Sequence, residues 1–464
     1  TVTAATITIN ATATSTVNIE FCANSGDVNI NAALSAVSLT VRLNTDTGSV
    51  IQTVDGIITA TDLGVHAKNS ITLGLADNNV TGVFAASSTT SGNITFRDLG
   101  GFTVGTVAMG TCLPEVIGIT AASGNVTLSS TGGITVGTGA GQDISAVGNT
   151  VDLDAAGVTE AAGSIINTDN LLLRGTGTFT LNEANTVGIL AADANGAIEY
   201  VDADTLTVGT VGTNVGITTS NGSVTVTTTT GDLSLSNAIS VGTGNVTLEA
   251  TSGSILDIND GSTLITAEDL SLTAKTAIGD ITSFSAGTGN AIDVALSGQL
   301  TKASVSDAGG EIFVNFQGNL TATAGSVNVG GANAASAILR ATGGNIDVGT
   351  AVDVFSLSSG DNLAIEAVKV ATTGGTLTLP DAGLNVGTGN LRLRGDGDVK
   401  DAAGRELGML TANDLSFTSG AAGGATTINT TINTLTAQVT GSGAALTINE
   451  ADGLTLTDID TNNG

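Results

Sequence analysis

The stretch Val241–Thr273, VGTGNVTLEATSGSILDINDGSTLITAEDLSLT, returns 145 residues later as Val386–Thr418, VGTGNLRLRGDGDVKDAAGRELGMLTANDLSFT, without a gap. Both copies show one design: a Gly/Asn turn, a short strand of alternating apolar residues, then another turn. Val246 and Leu248 point to one face and Asn245 and Thr247 to the other, because successive side chains in a strand alternate. Around this window Val224/Val226, Leu233/Leu235 and Ile239/Val241 mark three short strands. Val246/Leu248 begin the next round 22 residues after Val224, and Leu270/Leu272 begin another 24 residues later. A fixed unit repeated this often is the mark of a solenoid.

Three strands per round, bounded by Gly, Asn or Asp, predict a three-sided coil. Stacked coils pair each strand with its equivalents above and below, and the inward Val, Leu and Ile become continuous ladders. The expected fold is all-β, a right-handed parallel β-helix running as one continuous solenoid over residues 1–464. At roughly 22–25 residues per coil it makes about 20 coils, a rod on the order of 90–100 Å. An array of immunoglobulin-like sandwiches is the rival, but such domains bury aromatic anchors. This chain has no Trp, one Tyr (Tyr200) and 10 Phe, which suits a core one residue deep.

Composition narrows the function classes. Asp plus Glu number 42 against 12 Lys plus Arg, a formal charge of −30. Such a surface repels nucleic acid and anionic lipid and attracts divalent cations. No apolar run is long enough to span a bilayer. The opening TVTAATITIN already has strand alternation, with no initiating Met, basic region or signal peptide, so a mature, processed or excised chain is expected. Residues 1–21 are expected to be the first coil, with a strand that docks on a neighbouring subunit as the alternative.

A second internal copy pairs FTVGTV (102–107) with LTVGTV (206–211) and GITAASGNVTL (118–128) with GITTSNGSVTV (216–226). The offset drops from 104 to 98, so the first copy carries six extra residues within AMGTCLPEVI (108–117). Insertions in a solenoid go to loops at coil corners. This one holds Cys112 and Pro114. The only other cysteine is Cys22, about four coils away, and such thrift fits an extracellular product with at most one disulfide. The loop is expected to reach back along the stack and pair Cys112 with Cys22; two free thiols are the alternative. In residues 301–380, EIFVNFQGNL (311–320) brings Phe313 and Phe316 together, where the rod is expected to thicken or bend.

Chemistry-bearing residues are few. The single histidine, His66, has no partners for a metal cluster or a catalytic triad and is expected to be exposed or in a turn. Glu183 and Glu450 close similar NEA segments and are expected to be solvated corners. Asp396, Asp398 and Asp401 in GDGDVKD, and Asp257, Asn259 and Asp260 in DINDG, are calcium candidates with neither a twelve-residue loop nor a nonapeptide repeat, and plain acidic turns are the simpler expectation. Asn93, Asn125, Asn245 and Asn319 stand in Asn-x-Thr/Ser triplets, which also describe a turn entering a strand. A β-helical polysaccharide-acting enzyme needs basic residues and sugar-stacking rings, both scarce here. Ice binding needs Thr-x-Thr once per coil in register, whereas the threonine-rich stretches around 12–16 and 224–230 belong to coils of uneven length.

GNVTLEATSGSILD, LITAEDLSLTAKTAIGD and TINTLTAQVTGSGAALTINEADGLTL resemble the repeats of filamentous-haemagglutinin-like and autotransporter-type bacterial surface exoproteins. The resemblance covers roughly residues 100–300 and 380–464. It implies a right-handed β-helix displayed at the cell surface, and adhesion to cells or glycans. The family's N-terminal secretion domain and C-terminal barrel have no counterpart here, and no catalytic residue carries over. The expected role is an extracellular structural or adhesive protein, not an enzyme. A subunit that self-associates into a filament, sheath or matrix fibre comes first, and the stalk of a monomeric adhesin second. No cofactor is expected beyond calcium.

Overall fold

In a computed structural model the chain is an all-β parallel β-solenoid of about 20 turns. It describes residues 1–259, 264–322, 325–328, 335–349, 354–372 and 374–461. The chain falls into two compact units, Thr1–Thr229 and Thr230–Gly464.

Unit 2 contains the repeated window. Leu233–Leu235, Ile239–Ser240 and Val246–Ala250 form one turn, and Ile255–Asp257, Ile265–Ala267 and Leu270–Ala274 lie in parallel register on them. Val246 stacks on Leu270 and Leu248 on Leu272. In the second copy Leu391 stacks on Leu415 and Leu393 on Phe417, so the sequence repeat is also a repeat of register. All eight side chains are buried. Alternation thus sorts each strand into an inward ladder and an outward row, and slipping by one residue would exchange them.

Unit 1 is built the same way. Ile7 stacks on Val28, Val28 on Val50 and Val50 on Ile71. Residues 1–21 lie on this stack, with Val2 opposite Phe21 and Ile7 opposite Val28. Some corners are passed without leaving extended backbone, as in the twelve-residue strand Leu34–Thr45. Its bend falls at Ser38, with φ of 63°, and the matching strand Ile144–Ala155 bends at Gly148, with φ of 76°.

The Asn–Val–Thr triplets have a structural role. Asn93 Oδ1 accepts the backbone N–H of Asn125 one coil on (3.0 Å), and Asn125 Oδ1 accepts that of Thr150 (3.0 Å). In unit 2, Asn245 serves Asp269, Asp269 serves Gln299, and Asn319 serves Asn345. A short side chain with an acceptor at its tip satisfies the N–H that the strand ladder misses at a corner. This ladder is the physical reason Asn or Asp recurs before these strands.

One expectation is corrected. His66 is neither exposed nor in a turn but in the strand Ile58–Ala67, half-buried, with Nδ1 2.8 Å from Asn44 Oδ1. Burial lowers its pKa, against the opposing pull of Asp46. In the less regular region, Phe316 faces inward while Phe313 faces outward and is buried by a hairpin from an earlier coil. There the third strand of each turn leaves the main sheet. Leu320–Thr321, Ile346–Asp347, Thr376–Leu379 and Asp398–Asp401 form their own parallel sheet.

Candidate functional site: a strap over the first coils

The insertion at 108–117 is the outer part of an antiparallel hairpin, Thr106–Val107 paired with Val116–Ile117. Its base is closed by Gly118 N donating to Gly105 O (2.8 Å). The hairpin leaves the coil formed by Phe102–Val104 and Ile119–Ala121, which stacks on Val83–Ser88, and runs back across that and earlier coils. The outward row beneath it is Ala85, Gly64, Arg42 and Glu20, each opposite the next in the strand register. Each arm of about six residues reaches on the order of 20 Å, and four coils rise about the same.

The row is shaped to receive it. Val107, Leu113 and Val116 bury themselves against Ala85. At Gly64 a Cβ would stand 2.7 Å from Val107 and 2.8 Å from Leu113, so a larger residue would push the strap off. Arg42 Nε donates to Ala108 O (3.1 Å). At the tip, Glu20 takes three consecutive backbone donors. Oε2 accepts from Thr111 N (2.9 Å), and Oε1 accepts from Cys112 N (2.8 Å) and Leu113 N (3.0 Å). Thr1 Oγ1 adds a fourth bond (3.1 Å). Burial would raise the Glu20 pKa, but the N–H groups of Leu113, Cys112 and Thr111 outweigh it and hold it at about 2. A run of backbone N–H groups cradling an anion is a nest, here filled by the protein's own carboxylate.

Two residues beyond Glu20, on the same outward row, Cys22 is bonded to Cys112 with Cα atoms 6.1 Å apart. The disulfide closes a separation of 90 residues. Glu20 lies beside both sulfurs, but disulfide sulfur carries no thiolate to bind a metal, and the carboxylate is filled by N–H donors.

The second copy has the shorter form of the same device. Thr210–Val211 pairs with Asn214–Val215, and Val211 packs on Ala191 and Leu172. Six residues fewer means three fewer per arm, roughly 10 Å, or two coils less reach. Unit 2 has a third hairpin, Asp280–Ser283 with Thr288–Asn290, which runs toward later coils. Ile281 and Phe284 cover the outward Phe313, Ile338 and Ala364. Cations hold this tip: Arg340 donates to Gly287 O and Arg392 to Ser285 O. Both pair with the fully buried Glu366, at 2.6 Å each, and Arg340 also lies over the Phe313 ring at 5.1 Å.

Among the described residues the acidic turns do not converge. Asp396 is held by Arg394 (2.6 and 3.0 Å) and Asp398 by Arg405 (3.2 Å), while Asp401 caps Ala403 N and Gly404 N. Asp257 is buried and caps Asn259 N (2.9 Å); Asp260 lies outside the described residues. Glu183, expected as a solvated corner, accepts from Gly163 N (2.9 Å), and Glu450 accepts from Thr430 Oγ1 (2.8 Å). Glu20 was passed over in the sequence. The available signal was an acid on the outward phase of a strand, between Ile19 and Phe21 and two residues from a cysteine. No family model, curated protein or solved structure matches this chain.

Proposed function

We propose that the chain is an extracellular structural or adhesive scaffold, a right-handed β-solenoid of the kind found in filamentous-haemagglutinin-like and autotransporter-type surface exoproteins. Its work is to hold an acidic surface in place outside the cell. Self-association into a filament, sheath or matrix fibre is the form proposed. The observation that carries the reading is the strap. A disulfide, a filled carboxylate nest and an apolar patch together fasten one hairpin across four coils of unit 1. Disulfides persist in oxidising compartments, and cross-links between distant turns suit a solenoid, in which each repeat otherwise touches only its neighbours. A formal charge of −30 supports solubility in such a setting.

Electron micrographs of the native material, with light scattering of the purified chain at high concentration with calcium, test the proposal. Fibres and concentration-dependent growth are expected. Particles that remain single rods would overturn the fibre and leave the monomeric stalk. Recovery of native protein with both thiols reduced would overturn the extracellular placement.

A further inference from the structure

Unit 1 contains one run of coils twice, and at one corner the copies differ by an ionisable group. In the first copy Gln52, Asn78 and Asp98 are buried together. Asn78 Oδ1 accepts from Gln52 Nε2 (2.6 Å) and Ile58 N (2.9 Å), and its amide donates to Arg97 O (3.0 Å). Gln52 Nε2 also donates to Gly56 O (2.8 Å). Asp98 accepts from Val80 N (2.7 Å) and Gly100 N (2.8 Å).

The second copy keeps the Asn and Asp bonds with Asn185 and Asp202, but the bond between its first two residues runs the other way, from Asn185 to Glu160. Asn185 Oδ1 accepts from Ile166 N (2.6 Å), and its amide donates to Val201 O (3.1 Å). Asp202 accepts from Val187 N (3.1 Å) and Asp204 N (2.9 Å), and from Tyr200 Oη (2.8 Å), where the first copy has Phe96. Glu160 stands where Gln52 stood. Its Oε2 accepts from Glu183 N (3.0 Å) and Asn185 Nδ2 (3.3 Å), while Oε1 is buried with no hydrogen-bond partner among the described residues. Gln52 Oε1 is bare in the same way, but it is the oxygen of a neutral amide, whereas a carboxylate at Glu160 would leave charge on a dry oxygen. A carboxylic acid is nearly isosteric with the Gln52 amide and, like it, neutral.

We propose that the Glu160 corner is a pH-sensitive latch in unit 1: with a proton on its carboxyl group it closes as the Gln52 corner does, and without one it loosens the coils that share it. The surroundings favour the proton. Glu183 faces Glu160 from the strand Phe179–Ala194 and Asp143 from the turn before Ile144–Ala155. Tyr200 and Asp202 lie on the strand beyond. Both charged groups that raise it, Glu183 and Asp143, are acids. Burial, despite the two N–H donors and helped by Glu183 and Asp143, pushes Glu160 up to about 7. Burial likewise pushes Asp202 up to about 6, against the bonds from Asp204, Tyr200 and Val187. With the folded pKa raised, the native corner binds more protons than the unfolded chain. The stability is therefore complete below about 4.5 and is lost as pH rises through about 7. That gap sets an upper limit of about 300-fold in the opening constant. Partial exposure reduces it, and about 10- to 100-fold is expected.

Amide hydrogen exchange on the full, oxidised chain tests this, with protection factors compared at about pH 5 and about pH 8. Ile166 and Val187 should lose about 10- to 100-fold of protection at the higher pH, while Ile58 and Val80 change by less than about threefold. Glu160→Gln places in the second copy the residue the first already carries. It should fold and abolish the difference at Ile166, while Val187, bonded to Asp202, keeps the part that Asp202 contributes. Gln52→Glu should transfer the loss to Ile58. Equal pH dependence at Ile58 and Ile166, or a loss at Ile166 that persists in Glu160→Gln, overturns the proposal.

Discussion

Substituting Glu20 by Gln would change one oxygen of the strap's nest to an amide nitrogen and leave the shape. The carboxylate has two oxygens for three backbone donors, Thr111 on one and Cys112 and Leu113 on the other. An amide has a single oxygen, so at least one N–H must face an NH2 group. A donor left buried without an acceptor costs about 1–3 kcal/mol, which is about a 5- to 150-fold rise in strap opening. The disulfide stays intact in this variant, so the tip cannot leave and the readout isolates the nest. Exchange of the Thr111, Cys112 and Leu113 amides should accelerate by that factor, with Val41 and Leu63 in the coils beneath unchanged. Acid should reproduce the effect in the unmodified protein. With the folded pKa held at about 2, the nest's contribution is complete above about 4.5 and is lost as pH falls through about 2. Acceleration below threefold in Glu20→Gln would refute the reasoning, because the three N–H groups would then be finding acceptors elsewhere.

Reducing the Cys22–Cys112 bond, or replacing both residues by Ser, frees a separation of 90 residues. The chain-entropy model predicts about 4–5 kcal/mol less resistance of unit 1 to urea. Replacing Arg340 and Arg392 together by Met strands the buried Glu366 carboxylate. A loss of about 3–5 kcal/mol is expected in unit 2, and Glu366→Gln in the same background should recover most of it. Phe96 stacks on Phe84 at 3.9 Å and meets Phe102 edge-on at 5.0 Å, so Phe96→Ala should cost about 3–5 kcal/mol in urea unfolding. Gly64→Leu should displace Val107 and Leu113 and raise protease cleavage at 108–115 without altering the circular dichroism of the coils.

Much of the coil was legible before any coordinates. Val246 and Leu270, or Leu391 and Leu415, declare their inward phase by alternation alone, and the spacing between such pairs is the coil length. The length of the 108–117 insertion was also legible, as a change of offset between two copies. That it is a hairpin was not, because its pairing of Val107 with Val116 is stabilised by what lies beneath, Gly64 and Ala85. The GDGDVKD stretch reads as an acidic turn by local spacing, and only the fold shows that Asp396 pairs with Arg394 and Asp398 with Arg405. Gln52 and Glu160 lie in dissimilar segments, and their equivalence rests on the bonds around Asn78 and Asn185.

The sequence by itself determined a property of each strand: which side chains go in, where turns fall, and that like coils repeat. These follow from local alternation and turn chemistry, which need no knowledge of distant residues. Tertiary structure alone decided which outward residues become neighbours. Stacking brings Thr111, Cys112 and Leu113 onto Glu20 across 91 to 93 positions of chain. Whether an outward acid is solvated, nested, paired or stranded depends on which hairpin lies over it.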